Sequence, residues 1–160
     1  MLTPPLITPS QHVTQHHHQN SRMTSANVDR FNAEAAAWDS NPTVLQASKL
    51  ANKTILERLG SDVASTYDVL DLGCGTGLLS LDLAAHVRSV TAVDAAEGMI
   101  VALQSKLDDP SCQLKNVKAV CAMLEDPDDE RIQVDPVGAG ATGAQQPRRF
   151  DLVVLSLIHI

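Results

Sequence analysis

The stretch 69-VLDLGCGTGLLS-80 carries an apolar run into an acid, Asp71, and then into three glycines at alternate positions, Gly73, Gly75 and Gly77, before an apolar helical pattern begins. A strand, a bend without side chains and a helix start are what a backbone needs to approach a ligand closely. Three ligand classes compete for such a bend. A nucleoside triphosphate loop requires a lysine directly after its last glycine, and none follows Gly77. A dinucleotide bend, G-x-G-x-x-G, would put its third glycine where Leu78 stands, and the carboxylate of Asp71 would repel a pyrophosphate. The remaining class is a ligand with a cationic group and no phosphate.

Working outward, short apolar runs alternate with helix-length segments. They are 67-YDVLDL-72, 78-LLSLDLAAHV-87, 89-SVTAVD-94, 97-EGMIVALQSKL-107, 117-VKAVCA-122 and 150-FDLVVLSL-157. This alternation predicts an α/β fold with a parallel, Rossmann-like sheet covered on both faces. Two helices precede it. Phe31, Ala35 and Trp38 share one helical face, Asn41-Pro42 closes that helix and opens the next, and Val44, Ala47, Ala51, Ile55 and Leu59 form a stripe that stops at Gly60. Trp38 and Met99 are read as packing residues, His86 as a structural residue at a helix end, and 125-EDPDDERIQVD-135 as a solvated acidic loop. The resulting organisation is a low-complexity leader over 1–26, with Met23 an alternative start, N-terminal helices over 27–60, and a ligand-binding domain over 61–160 with a flexible insertion at 136–149.

The pattern D-x-G-x-G-x-G at the end of a first strand, together with Asp94 at the end of the second, resembles the class I S-adenosylmethionine-dependent methyltransferases, in particular the group similar to the ubiquinone-biosynthesis enzymes. The resemblance covers Asn27 to about Leu155 and implies S-adenosylmethionine as cofactor and a strand order of 3-2-1-4 for the four strands present. It also implies the site residues. Asp71 would accept from the cofactor's ammonium directly or through water, and the backbone of Gly73, Cys74, Gly75, Thr76 and Gly77 would lie against its methionine part. Asp94, followed by Ala95, would accept both ribose hydroxyls. Phe31 and Trp38 would cap the cofactor. A departure occurs after the third strand, where Met123 stands in place of the family's adenine-binding Asp. Backbone atoms of Met123 and Leu124 would then hold the adenine, with Glu125 or Asp126 as replacement acceptors.

The family's sheet is larger than the four strands found here. The terminal 155-LSLIHI-160 is what a common sequencing-library adapter encodes, so truncation near Val154 is expected; members of the family also often carry a Ser and then a His at this place. A truncated fourth strand would leave an unpaired apolar edge. The expected activity is methyl transfer to an O, N or C nucleophile of a small molecule, and no catalytic base is assigned. The rival from another class is a non-catalytic binding module or inactive pseudo-enzyme, and a nicotinamide-dependent oxidoreductase is disfavoured by Leu78 and Asp71.

Composition sets the remaining bounds. At 160 residues and 44% hydrophobic, the chain builds one domain. A net charge of −7 argues against a nucleic-acid partner. Cys74, Cys112 and Cys121 lack zinc or disulfide spacing, and His16 to His18 lack accompanying ligands, so no metal is expected. With neither a secretion signal nor a membrane span, the expected location is cytoplasmic.

Overall fold

The computed structural model describes residues 25–126, 128–132 and 149–156. Most of the leader, His16 to His18, nearly all of the insertion, and the terminal residues including His159 lie outside the described residues. The elements are α1 (Ser25–Trp38), α2 (Pro42–Leu59), α3 (Ser61–Ala64), β1 (Asp68–Leu72), α4 (Leu78–Ala84), β2 (Ser89–Asp94), α5 (Glu97–Leu107), β3 (Val117–Cys121) and β4 (Leu152–Leu155). All strand pairs are parallel and the order is β3-β2-β1-β4, as the sequence led us to expect.

Local chemistry accounts for the boundaries. The Asn41 side chain accepts from the amides of Thr43 at 3.0 Å and Val44 at 3.4 Å, and Pro42 supplies a first helical residue with no amide to satisfy. At the other end of α2, Gly60 turns with φ 77° and donates its amide to the Leu56 carbonyl. The short α3 had no sequence signal.

Both faces of the sheet are covered, as expected, with α2, α4 and α5 on one of them. Val69, Val90 and Ala92 pack on one face with Leu79 and Leu83 of α4 and Leu103 of α5, and Ile55 and Leu56 of α2 join them. Leu70, Val93 and Val120 point to the opposite face, where Ala122, Leu124, Ile132 and Phe150 cover them. The steps from β1 to β2 and from β2 to β3 go in the same direction across the sheet, so right-handed crossovers place α4 and α5 on one side. β4 lies on the other side of β1, and the described residues Leu124, Ile132 and Phe150 between β3 and β4 pack on the other face.

At the amino ends of the strands, Asp68 accepts from Arg88 Nε at 3.0 Å and Ser89 Oγ at 2.6 Å, while its amide donates to Asp151 at 2.8 Å. This ties the entry of β4 to β1. The outer edge of β4 has no partner strand among the described residues, and Val153 and Leu155 are 56% and 67% exposed.

Gly77 (φ 82°) begins α4, and a Cβ there would stand 2.4 Å from Cδ1 of Leu103, a fully buried residue. Gly60 also has positive φ, but a Cβ would meet nothing within 4 Å. Gly77→Ala is expected to cost about 1–3 kcal/mol more than Gly60→Ala, the excess being overpacking. Urea denaturation of the two variants checks this, and equal losses would contradict it.

Candidate functional site

The cleft lies at the carboxyl ends of β1, β2 and β4, where open α/β sheets bind ligands. The bend after β1 has φ values of 70°, 57° and 82° at Gly73, Gly75 and Gly77, a region that side-chain-bearing residues rarely enter. Its amides are already engaged. Gly73 and Cys74 both donate to the Val93 carbonyl, at 2.8 and 3.0 Å, Gly75 donates to Asp94 Oδ2 at 2.8 Å, and Gly77 donates to the Cys74 carbonyl at 3.0 Å. Asp94 Oδ1 accepts the Ala96 amide at 2.8 Å. One carboxylate thus fixes both the glycine bend and the entry to α5.

A cavity of about 230 Å³ opens above this bend. Gly73, Cys74, Gly75, Thr76 and Asp94 line it, together with Phe31 and Trp38 from α1, Val44, Ala47, Ser48 and Ala51 from α2, Met99 from α5, and Leu155 and Ser156. Phe31 and Trp38 meet edge to face with centroids 5.8 Å apart, and the Trp38 Nε1 comes close to Gly75. Ala35, Ala96 and Met99 form the packed base beneath the two rings. Met99 therefore packs as expected and also borders the cavity. No lysine or arginine belongs to the lining among the described residues.

Several of the expected site residues lie elsewhere. Asp71 is fully buried and is not part of the lining; it accepts from Ser80 and Ser156, each at 2.5 Å. Gly77 sits beneath the bend against Leu103, and Ala95 is half-buried outside the lining. Met123 and Leu124 do not reach the cavity either. The Ala122 amide donates to the Asp94 carbonyl at 2.9 Å and continues the pairing beyond β3; Met123 then turns outward, 42% exposed, and Leu124 joins the opposite face. Glu125 and Asp126 lie with Leu124 beside a second hollow on that face.

Burial raises the Asp71 carboxyl above its ordinary value, against the lowering effect of the Ser156 and Ser80 hydrogen bonds, and nearby Asp94 raises it further. Burial also pushes the Cys74 thiol up, and the charges of Asp71 and Asp94 add to the effect. The buried Cys74 thiol is therefore held in its uncharged form at neutral pH.

Sequence reasoning missed a second set of contacts. The Thr76 hydroxyl donates to Asp39 Oδ1, Lys106 Nζ donates to the Thr76 carbonyl at 2.8 Å, and Lys106 Nζ lies 2.5 Å from Asp39 Oδ2. Asn32 Oδ1 accepts the Gly98 amide at 2.8 Å. Residues 39, 76 and 106 share no periodicity, so only the folded chain reveals them as neighbours.

The fold and cleft define a Rossmann-like α/β domain with a cavity above a glycine bend. More particularly, the chain belongs to the methyltransferase-domain family, which matches residues 69–148. It is similar to the 23S rRNA (uracil(1939)-C(5))-methyltransferase RlmD of Aliivibrio fischeri, 32% identical over 113 residues, covering 64% of this chain and 25% of that protein. It is also similar to the malonyl-[acyl-carrier protein] O-methyltransferase of Acetivibrio thermocellus, 35% identical over 99 residues, covering 60% of this chain and 32% of that protein. The chain thus spans about a quarter to a third of these relatives. Among solved structures, the DhpI-SAM-HEP complex shares the fold at 21% identity with a TM-score of 0.52, covering 82% of this chain and 49% of that one.

A raised carboxyl means that ionising Asp71 costs the folded state more than the unfolded chain. Its favourable contribution is complete below the unfolded value of 3.8 and is lost as pH rises through the higher folded value. Asp71→Asn is expected to gain stability relative to the parent as pH rises from about 4 to 7. Unfolding free energies across that range check the sign; a growing deficit in the variant would contradict it.

Proposed function

We propose that the cleft binds S-adenosylmethionine and that the protein carrying this domain transfers a methyl group to a small-molecule nucleophile. The observation that carries this reading is Asp94. Each of its oxygens accepts one backbone amide, yet each has a second lone pair, and the residue lines the cavity. A carboxylate held in this way suits the paired hydroxyls of a ribose.

The surroundings fit the rest of such a ligand. Four amides of the glycine bend are engaged within the protein, and no cationic side chain lines the cavity among the described residues, so a pyrophosphate has little to bind. Asp94 in the lining and Asp71 beneath it favour positive charge, whether ammonium or sulfonium. When bound, S-adenosylmethionine supplies an electrophilic methyl group on sulfur. The chain's own residues hold and orient the ligand. Gly73 to Thr76 present a backbone without side-chain obstruction at Gly73 and Gly75, and Phe31 and Trp38 cover it from α1, excluding water. Asp94 is the only carboxylate in the lining among the described residues and is committed to holding backbone. Rate enhancement would therefore rest on proximity and orientation.

The small-molecule acceptor is supported by the net charge of −7, which opposes docking on an RNA backbone. Three free cysteines suit a reducing compartment such as the cytoplasm, and no helix among the described residues is long and apolar enough to cross a membrane. The lack of a committed base in the lining also favours a second reading, binding without transfer. Radiolabelled methyl incorporation by the complete protein separates the two.

Calorimetry tests the cofactor directly. S-adenosylhomocysteine should bind saturably and NAD should give no heat. Asp94→Ala should weaken binding by at least about tenfold, through loss of charge-assisted hydrogen bonds worth about 1.5–3 kcal/mol each. Binding of NAD with none of the homocysteine nucleoside would overturn the proposal.

A further inference from the structure

Thr76 lies at the centre of the glycine bend and is 1% exposed. Its hydroxyl and carbonyl are both held from outside the bend, by Asp39 just beyond α1 and by Lys106 in the last turn of α5. Asp39 and Lys106 also pair with each other, with side-chain exposures of 37% and 29%. The neighbour of Asp39 is Trp38, whose indole stands against Gly75. A second attachment holds α1 at Asn32, which takes the Gly98 amide; a Cβ on Gly98 would meet the Asn32 carbonyl at 3.0 Å.

We propose that Asp39, Thr76 and Lys106 are positioning residues that seat Trp38 on the glycine bend and thereby set how tightly the cleft holds its adenosyl ligand. The inference rests on the cofactor reading above for the ligand, but not for the seating of Trp38. Acting together, the three groups couple the end of α1, the bend and α5. Removing the Lys106 charge frees the Thr76 carbonyl, and removing that of Asp39 breaks the ion pair and weakens the acceptor for the Thr76 hydroxyl; either change loosens the α1–α2 elbow. The part of α1 fixed by Asn32 stays in place, so the effect is concentrated at Trp38.

Trp38 is the chain's only tryptophan, so its fluorescence reports the seating without a label. In the full chain, Lys106→Met and Asp39→Asn should each make Trp38 about twice as accessible to acrylamide and weaken S-adenosylhomocysteine binding by about tenfold; their double variant should be no worse than either single one. Lys106→Arg, which keeps a cation with several donors, should stay within about twofold of the parent in both measurements. Unchanged quenching in Lys106→Met and Asp39→Asn would overturn the proposal whether or not the ligand binds. So would an affinity loss of equal size in Lys106→Arg, since that would mark mere packing damage. A parent chain that fails to bind the nucleoside, yet shows the quenching pattern, would refute the cofactor reading and leave the seating role standing.

Discussion

The site hangs from the last two residues of β2. The Val93 carbonyl takes the Gly73 and Cys74 amides, the Asp94 carboxylate takes the Gly75 and Ala96 amides, and the Asp94 carbonyl takes the Ala122 amide. A single strand end therefore shapes the bend after β1, the start of α5 and the exit of β3. The three glycines satisfy the same constraint. The bend can curl back to β2 only through left-handed backbone at each of them, and it can lie under Leu103 only without a Cβ at Gly77.

That geometry decides the electrostatics. A glycine bend with free amides at a helix start attracts phosphate. Here most of those amides point inward to Val93, Asp94 and Cys74, and the charges near the cleft floor are carboxylates. Asp71 is set back from the cavity lining and held by Ser80 and Ser156. The aromatic pair on α1 supplies the opposite wall, apolar and closely packed on Met99 and Ala96.

Much of this was legible in the chain. Alternating apolar runs and helix-length spacers foretold the parallel sheet, Asn41-Pro42 and Gly60 marked the limits of α2, and the spacing from Asp71 to Gly77 to Asp94 located the cleft. What escaped depends on direction and distance. Strand and helix periodicity does not say to which side a crossover passes; the strand order with right-handed connections puts α4 and α5 on one face. The acid in the glycine signature announced charge but not depth, and Asp71 lies below the lining. Past β3 the backbone carries Met123 outward and Leu124 to the far face, which a linear alignment with the family's adenine-binding position could not convey. The Asp39–Lys106 pair joins residues far apart in sequence and leaves no local pattern.

The central claim is that the amides of Gly73, Cys74 and Gly75 are kept for β2 and that the bend accepts a cationic, phosphate-free nucleoside. Amide and indole resonances of the ¹⁵N-labelled chain, followed during separate titrations with S-adenosylhomocysteine and ADP-ribose, test it most directly. The expected result is saturable shifts at Gly75, Thr76 and the Trp38 indole with the first compound and none with the second. Shifts of the bend amides with ADP-ribose, and silence with the homocysteine nucleoside, would contradict it.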